Sequence, residues 1–280
     1  MVNSKHSIVF FGSGPYVKPI IEKLKDNYDL ALIVTTESTS NEPVLSFASK
    51  NDIKTLSVEK ITDEIVEEVK KIGAQVAVLA YFGIIVPNKL LDIFPLGIIN
   101  IHPSLLPKFR GPTPGQAALL ANEIETGVTI IKLDSEVDHG PVLGMVNEPI
   151  SPEDNSDTLY KKLFAKGAEL LMDVLPKYIS GDLKPTEQDH SKATFTDRFD
   201  NKTGEIDINN VPQNLDLMIK AYYPWSTVRF TAKLNDHSKL IKLFPEGKIQ
   251  VEGKNIMKLK DFANGYPEGK EILTKLGLHE

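Results

Sequence analysis

Apolar runs alternate with amphipathic stretches over the first 180 residues of this chain. The runs are typical of buried strands, which we predict at residues 7–12, 30–34, 75–79, 97–101, 129–133 and 142–148. Between them, apolar residues recur at helical spacing and predict helices at residues 15–26, 44–51, 62–72 and 114–122. Strands that alternate with helices indicate an α/β fold with a doubly wound, mostly parallel sheet. Such sheets bind ligands at the carboxyl ends of their strands.

The last 125 residues follow a different pattern. A long helix is predicted at residues 156–179, and the polar stretch 182–204 is predicted to be a linker. After a short helix at 211–222, short apolar runs predict strands at residues 227–234, 239–244 and 248–251. We therefore expect an α/β domain over residues 1–181 and a small β-rich domain over residues 205–280.

Composition narrows the class of protein. With 280 residues, of which 41% are hydrophobic, the chain can bury a sizeable core. It has no cysteine, which excludes disulfides, thiolate metal sites and a cysteine nucleophile. No apolar run is long enough to span a bilayer, and the first residues lack the pattern of a secretory signal. We expect a cytoplasmic monomer.

Charge is distributed unevenly along the chain. The net charge is −6, but residues 220–280 hold 11 Lys and Arg against 7 Asp and Glu. The C-terminal fifth is therefore basic on an acidic protein. Charge alone leaves open both a solvated lysine-rich surface and a contact with nucleic acid.

Asn100 and His102 form the first candidate functional pair. They lie two residues apart at the end of a predicted strand, so their side chains point the same way. Transfer of an acyl group to an amine needs a fixed donor for the oxyanion and a group that accepts the proton of the amine. Asn100 can supply the donor and His102 the acid/base group. A carboxylate such as Asp138, in the segment DSEVDHG at 134–140, can hold the imidazole in one tautomer.

The segment after this pair is rich in proline. A lone Asn or His at a strand end is more often a turn former or a satisfied surface group. Pro103, Pro107, Pro112 and Pro114, however, each fix φ and remove a backbone donor within twelve residues. A loop stiffened in this way suits a binding wall better than an ordinary connection.

Two other features have mainly structural interpretations. GSGPY at residues 12–16 follows the first strand, but Val17 breaks the G-x-G-x-x-G pattern, so a tight turn is favoured over a dinucleotide site. Four histidines lie in polar surroundings without metal-ligand spacing and are interpreted as surface residues: His6, His190, His237 and His279.

Several motifs together resemble the folate-dependent formyltransferases. They occur in family order over nearly the whole chain: NIHPSLLP with Asn100 and His102, RGPTPGQ (110–116), ETGVTI (125–130), LDSEVDHGPVL (133–143), GEID (204–207), YYPW (222–225) and KDFANGYPEG (260–269). The resemblance implies a Rossmann-like formyltransferase domain and a C-terminal OB-like barrel. Because the strands expected here are few and closely spaced, we expect that barrel to be trimmed.

The resemblance also implies the donor and the roles of the site residues. The donor is 10-formyltetrahydrofolate, with no metal. Asn100 binds the oxyanion, His102 donates to it or exchanges its proton, and Asp138 orients His102 and assists deprotonation of the amine. The folate is expected to contact an apolar wall and polar edges: Ser104, Leu105, Leu106, Pro107, Phe82, Ile84, Val86 and Asp134.

The acceptor is where the chain departs from this pattern. The resemblance is to the branch that formylates initiator methionyl-tRNA for translation initiation, whose members carry a basic insertion after the second strand. Here the corresponding TTESTSNEP (35–43) has two Glu and no Lys or Arg, which disfavours phosphate contacts. An amino-sugar nucleotide acceptor is therefore the main alternative. A folate- or tRNA-binding module without turnover and a hydrolase that releases formate also remain open.

Overall fold

Seven strands form one sheet in the computed structural model, which describes residues 6–37 and 42–279 of the chain. The strands are β1 (Ser7–Gly12), β2 (Asp29–Thr36), β3 (Lys54–Val58), β4 (Val76–Ala80), β5 (Ile98–His102), β6 (Glu125–Lys132) and β7 (Val142–Pro149). Their order is β3-β2-β1-β4-β5-β6-β7. Strands β1 to β5 pair in parallel, and β6 and β7 join antiparallel to β5 and to each other. The predicted doubly wound, mostly parallel sheet is confirmed.

Six α-helices lie within the described residues up to Ser180. They are α1 (Lys18–Asn27), α2 (Glu42–Lys50), α3 (Asp63–Lys70), α4 (Asn88–Leu91), α5 (Pro114–Leu120) and α6 (Ser156–Ser180). Local sequence explains where α3 begins. The hydroxyl of Thr62 accepts a hydrogen bond from the backbone N–H of Ile65 at the start of α3, and Asp63 and Glu64 favour the positive end of the helix dipole.

The central strands carry the core. Every residue of β4 is buried, as are five of the six residues of β1, because parallel strands between two layers of helices have no solvated face. The ring of Phe11 packs edge-on against Phe82 and Phe94, with centroids 5.6 and 6.3 Å apart. This packing fixes the carboxyl ends of β1 and β4, where the sheet reverses its winding direction.

The chain divides into two compact units. The first comprises Met1–Pro114, Glu125–Pro149 and Tyr160–Thr196, and the second comprises Gly115–Ile124, Ile150–Leu159 and Asp197–Glu280. Much of the segment predicted to be a linker, up to Thr196, therefore belongs to the first unit.

The second unit contains a four-stranded antiparallel sheet. Its strands are β8 (Arg229–Leu234), β9 (His237–Phe244), β10 (Lys248–Val251) and β11 (Met257–Lys258), paired in chain order. Three helices contribute to the same core: α7 (Leu215–Ala221), α8 (Leu259–Gly265) and α9 (Gly269–Leu276). A small, trimmed β-rich C-terminal region was predicted, and the separate antiparallel sheet confirms it.

Some short elements were not predicted from the sequence. Strand β3 was missed because it is a half-exposed edge strand without a continuous apolar run. Helices α8 and α9 were missed because each spans about two turns, too short for a clear period. The apolar face of α9, with Ile272, Leu273 and Leu276, is defined by burial in the core.

None of the helices in the described ranges is both long and apolar enough to cross a membrane.

Candidate active site

Asn100 and His102 lie on one face at the carboxyl end of β5. Both are buried, with exposed fractions of 6% and 4%. The strand places them there because β5 is apolar and buried along its length, and residues two apart share a face. Their side chains both reach Asp138, which comes from the connection between β6 and β7.

Asp138 is held by contacts to both of its carboxylate oxygens. Oδ1 accepts a hydrogen bond from Nδ2 of Asn100 at 3.2 Å and lies 3.4 Å from Nδ1 of His102. Oδ2 accepts from the backbone N–H of Gly111 at 2.8 Å. The three residues that the sequence singled out, distant along the chain, therefore form one hydrogen-bonded group, and Gly111 is a fourth member.

The tautomer of His102 follows from its partners. Nε2 lies 3.0 Å from the carbonyl oxygen of Phe109, which can only accept, so Nε2 carries a hydrogen. Nδ1 faces the carboxylate of Asp138. Burial by itself lowers the pKa of His102, but the charge of Asp138 and its hydrogen bond outweigh burial, so the pKa is raised above 6.5. Asp138 therefore stabilises the protonated form of the imidazole.

The charge on Asp138 is stabilised by its neighbours. Burial alone raises the pKa of this carboxyl, but the imidazole of His102, the N–H of Gly111 and the charge of Arg110 together bring the pKa below 3.8. Arg110 acts oppositely on His102, because its positive charge lowers the pKa of the imidazole. Asp138 is thus a carboxylate at neutral pH.

A known protein family and its members match most of this chain. A family model described as formyl transferase matches residues 5–175. The methionyl-tRNA formyltransferase of Pediococcus pentosaceus is 31% identical over 312 aligned residues, which cover 95% of this chain and 98% of that protein. The methionyl-tRNA formyltransferase of Chloroflexus aggregans is 37% identical over 228 residues, covering 78% of this chain and 74% of its own length. The chain belongs to the formyl transferase family.

Solved structures agree on the fold. A 4-N formyltransferase from Francisella tularensis superposes with a TM-score of 0.68 at 19% identity, covering 87% of this chain and 98% of its own. HypX from Aquifex aeolicus, in complex with tetrahydrofolic acid, superposes with a TM-score of 0.62 at 16% identity, covering 86% of this chain and 38% of its own. At these identities the likeness describes the formyl transferase fold alone.

The predicted folate wall of this formyl transferase lies after β5. Ser104 is fully buried and donates from Oγ to the carbonyl oxygen of Lys108 at 2.7 Å. Thr129 on β6 donates to the carbonyl oxygen of Ser104 and accepts from the N–H of Leu106, which is also buried. Leu105 and Pro107 are half-buried. Ser104 and Leu106 therefore form the buried part of this predicted wall, whereas Leu105 and Pro107 are partly exposed.

The other predicted folate residues lie on two loops. Phe82 is buried at 3% exposure and packs on Phe11, whereas Ile84 and Val86 are half-buried against the same core. Asp134 is half-buried and accepts from the ring of His139, with 2.7 Å between Oδ2 and Nδ1. Binding of folate by all eight residues remains a prediction.

Sequence reasoning missed the residues that support Asp138 from behind. Arg110 is 3% exposed and donates to Gln188, which in turn donates to the backbone around Asp138. Arg110 could have been identified, because it is a charged residue within the motif RGPTPGQ, on which the family resemblance partly rests. Gln188 gave no signal, because the polar stretch around it has the composition of a solvated linker.

His190 has an unexpected partner. Its ring stacks on that of His139 with centroids 3.9 Å apart, and its Nδ1 lies 2.8 Å from the guanidinium of Arg110. The residue is exposed, as predicted, yet it helps to hold Arg110. The described residues contain no cluster of three or more His, Cys, Asp and Glu side chains suited to a metal ion.

A second polar feature lies where β1 and β2 end. The hydroxyl of Ser13 accepts from the N–H and the hydroxyl of Thr36, at 3.1 and 2.9 Å. Gly14 follows with φ of 72°, and a side chain there would meet the ring of Tyr81. The turn needs glycine for this backbone conformation. Residues 38–41 of the loop after β2 lie outside the described residues.

Proposed function

We propose that this formyl transferase moves the formyl group of 10-formyltetrahydrofolate to the α-amino group of initiator methionyl-tRNA, as a cytoplasmic monomer without a metal. The amine nitrogen bonds to the formyl carbon, and the bond from that carbon to N10 of the folate breaks. The amine loses one proton and N10 gains one. The products are formylmethionyl-tRNA and tetrahydrofolate.

The residues divide this work according to their hydrogen bonds. An Asn amide has two N–H groups, and Asp138 accepts from the Nδ2 of Asn100. The second N–H stabilises the oxyanion of the tetrahedral intermediate. Asp138 and His102 act as one acid/base unit, since the raised pKa of His102 suits uptake of the amine proton and its delivery to N10.

One observation carries the proposal. The buried group of Asn100, His102 and Asp138 lies at the end of β5 in a chain that aligns with a methionyl-tRNA formyltransferase over 98% of that protein. A binding module has no need of a buried proton path, so this geometry favours turnover. The basic C-terminal segment favours an RNA acceptor over a small one.

A sugar nucleotide is the second candidate acceptor. The absence of Lys and Arg from residues 35–43 supports it, because phosphate contacts dominate tRNA affinity. The same acid/base group would serve an amino sugar equally well.

An acceptor assay distinguishes the two. The purified chain is supplied with 10-formyltetrahydrofolate and either methionyl-tRNA, N-acetylmethionyl-tRNA as the blocked control, or a panel of amino-sugar nucleotides. We expect formyl transfer to methionyl-tRNA alone, with a KM that rises with salt. A higher kcat/KM with any amino-sugar nucleotide would overturn the tRNA assignment, and formate release without an acceptor at the same rate would indicate a hydrolase.

A further inference from the structure

Gln188 connects the segment after α6 to the backbone around Asp138. Its side-chain amide is buried, with 8% of the residue exposed. Nε2 donates to the carbonyl oxygen of Asp138 at 2.9 Å and to that of Gly140 at 2.7 Å. Oε1 accepts from a guanidinium nitrogen of Arg110 at 2.7 Å. Both N–H groups of the Gln188 amide therefore bind the short segment that contains Asp138.

The backbone of Asp138 needs such support. Its φ of 49° lies in the left-handed region, which a residue with a Cβ adopts at a cost. Gly140 closes the same turn, and a side chain there would collide with the carbonyl oxygen of Lys132. Because the turn is strained and tightly packed, its position depends on the bonds that hold it.

Arg110 fixes the direction of the Gln188 amide. The guanidinium can only donate, so the oxygen of Gln188 must face it and the nitrogen must face the two carbonyl groups. Arg110 is itself held by His190 and by a backbone bond from its N–H to the carbonyl oxygen of Thr194, at 2.8 Å. The next residue, Gly111, binds the carboxylate of Asp138 directly.

We propose that Gln188 is a positioning residue for the reaction: its amide clamps the carbonyl groups of Asp138 and Gly140 and thereby sets the contact between Asp138 and His102. This inference rests on the proposed function insofar as Asp138 is part of the acid/base unit. Gln188 does not touch the reacting atoms. It acts through the placement of one carboxylate.

A purely structural role is the competing explanation. Gln188 could simply tie the segment after α6 to the rest of the first unit. Other side chains of the first unit make such ties without contacting Asp138, and Tyr178 in α6 is one, since its hydroxyl donates to the carbonyl oxygen of Leu96 at 2.7 Å. Tyr178→Phe therefore serves as the matched control that removes a tie and leaves the clamp.

Two substitutions separate the roles of the amide. Gln188→Met keeps the length of the side chain and removes all three hydrogen bonds. Gln188→Glu keeps the acceptor for Arg110 as an ion pair but replaces the N–H donors with oxygen that repels the two carbonyl groups. If Gln188→Met fails to fold, Gln188→Glu still tests the clamp, because the ion pair preserves the connection to Arg110.

Kinetics and histidine NMR provide the readouts. With methionyl-tRNA as the acceptor, we expect both Gln188 variants to lose about 10²-fold in kcat, the effect of a displaced catalytic group, with KM values within about threefold of wild type. The titration midpoint of the His102 ring should fall in Gln188→Met, because the displaced Asp138 opposes the charge of Arg110 less well. In Gln188→Glu the added carboxylate offsets the charge of Arg110 on the ring, so the split between kcat and KM is the readout for that variant. Tyr178→Phe should retain both the wild-type kcat and the midpoint.

A folded Gln188→Met variant with an unchanged His102 midpoint, or a folded variant of either kind with kcat within about threefold of wild type, would overturn the inference. The His102 resonance is assigned by its loss in His102→Gln, and its titration requires no substrate. If wild-type protein fails to formylate methionyl-tRNA, the proposed function is wrong, and the shift of the midpoint alone then decides whether Gln188 sets the contact between Asp138 and His102.

Discussion

The backbone N–H of Gly111 donates to Oδ2 of Asp138 at 2.8 Å, across 27 residues of sequence. Gly111 has φ of 113°, and a Cβ on it would lie 2.8 Å from Oγ1 of Thr196. Glycine therefore does two things at this position: it adopts a backbone conformation that other residues avoid, and it leaves room for Thr196. The N–H reaches Asp138 as a result.

Gly111→Ala should weaken both the fold and the site. We expect a loss of about 1–3 kcal/mol in unfolding free energy from backbone strain, together with a fall in kcat as the N–H moves away from Asp138. Gly73→Ala is the control, because Gly73 also has positive φ, 69°, but has open space around its missing Cβ. Urea unfolding should show a smaller loss for Gly73→Ala and kinetics no change; equal effects of the two substitutions would contradict the assigned contact.

Removal of either strand residue should slow the chemical step. We expect Asn100→Ala and His102→Ala each to lower kcat by about 10² to 10⁴, the range for loss of an oxyanion donor or an acid/base group. His6→Ala, at an exposed histidine, is the control. Single-turnover formyl transfer measures the step, and activity within about threefold of wild type in both variants would remove the pair from the mechanism.

The pair of Asp138 and His102 should give stability a defined pH dependence. Since the pKa of His102 is raised, its contribution is complete below pH 6.5 and is lost as the pH rises through the raised value. Since the pKa of Asp138 is lowered, its contribution is complete above pH 3.8 and is lost as the pH falls through the lowered value. Both contributions are therefore complete between pH 3.8 and 6.5.

Asp138→Asn removes this pair and tests that window. The difference in unfolding free energy between wild type and Asp138→Asn should be largest between pH 3.8 and 6.5 and should narrow on both sides. Urea unfolding at a series of pH values measures it. A difference that stays constant from pH 3 to 9 would show that the charges of the pair do not interact.

The C-terminal sheet should contribute to acceptor affinity through its cations. Lys242 on β9 lies opposite both Arg229 on β8 and Gln250 on β10, so the three share a sheet face. The charge of Arg229 is met by Glu205 at 2.9 Å. We expect Lys242→Gln to raise KM for methionyl-tRNA and to reduce its salt slope by about one, with kcat unchanged.

An exposed lysine of the first unit provides the comparison for this effect. Lys71→Gln removes the same charge at the end of α3 and should leave KM and its salt dependence unchanged. If both substitutions change the salt slope equally, net charge rather than the C-terminal sheet governs tRNA affinity.

Local sequence already determined the central strands. β1 was predicted at residues 7–12 and is observed at Ser7–Gly12, because an uninterrupted apolar run bounded by glycine has few alternatives to a buried strand. The long helix predicted at 156–179 is observed as Ser156–Ser180 for a similar reason. Elements that are long and strongly patterned are specified by their own residues.

The pattern of one strand and the residues of several sequence motifs identified the catalytic candidates. Asn100 and His102 lie two residues apart, so their common face follows from strand geometry alone. Asp138 was first proposed as a carboxylate of the 134–140 segment that could hold His102, and the family resemblance then implied that role for it. The structure adds the distances, 3.2 Å from Asn100 and 3.4 Å from His102, which no local pattern specifies.

By itself, the sequence determined the doubly wound sheet, the β-rich character of the C-terminal region and the residues at the end of β5. Each of these depends on periodicity or on a contiguous motif. Only the tertiary structure decided that Arg110 and Gln188 stand behind Asp138. Gln188 lies 50 residues beyond Asp138 in a stretch whose composition is that of a solvated loop. Its role arises from two carbonyl groups and one guanidinium that meet it in space, and hydrogen bonds between distant segments leave no periodic trace in the sequence.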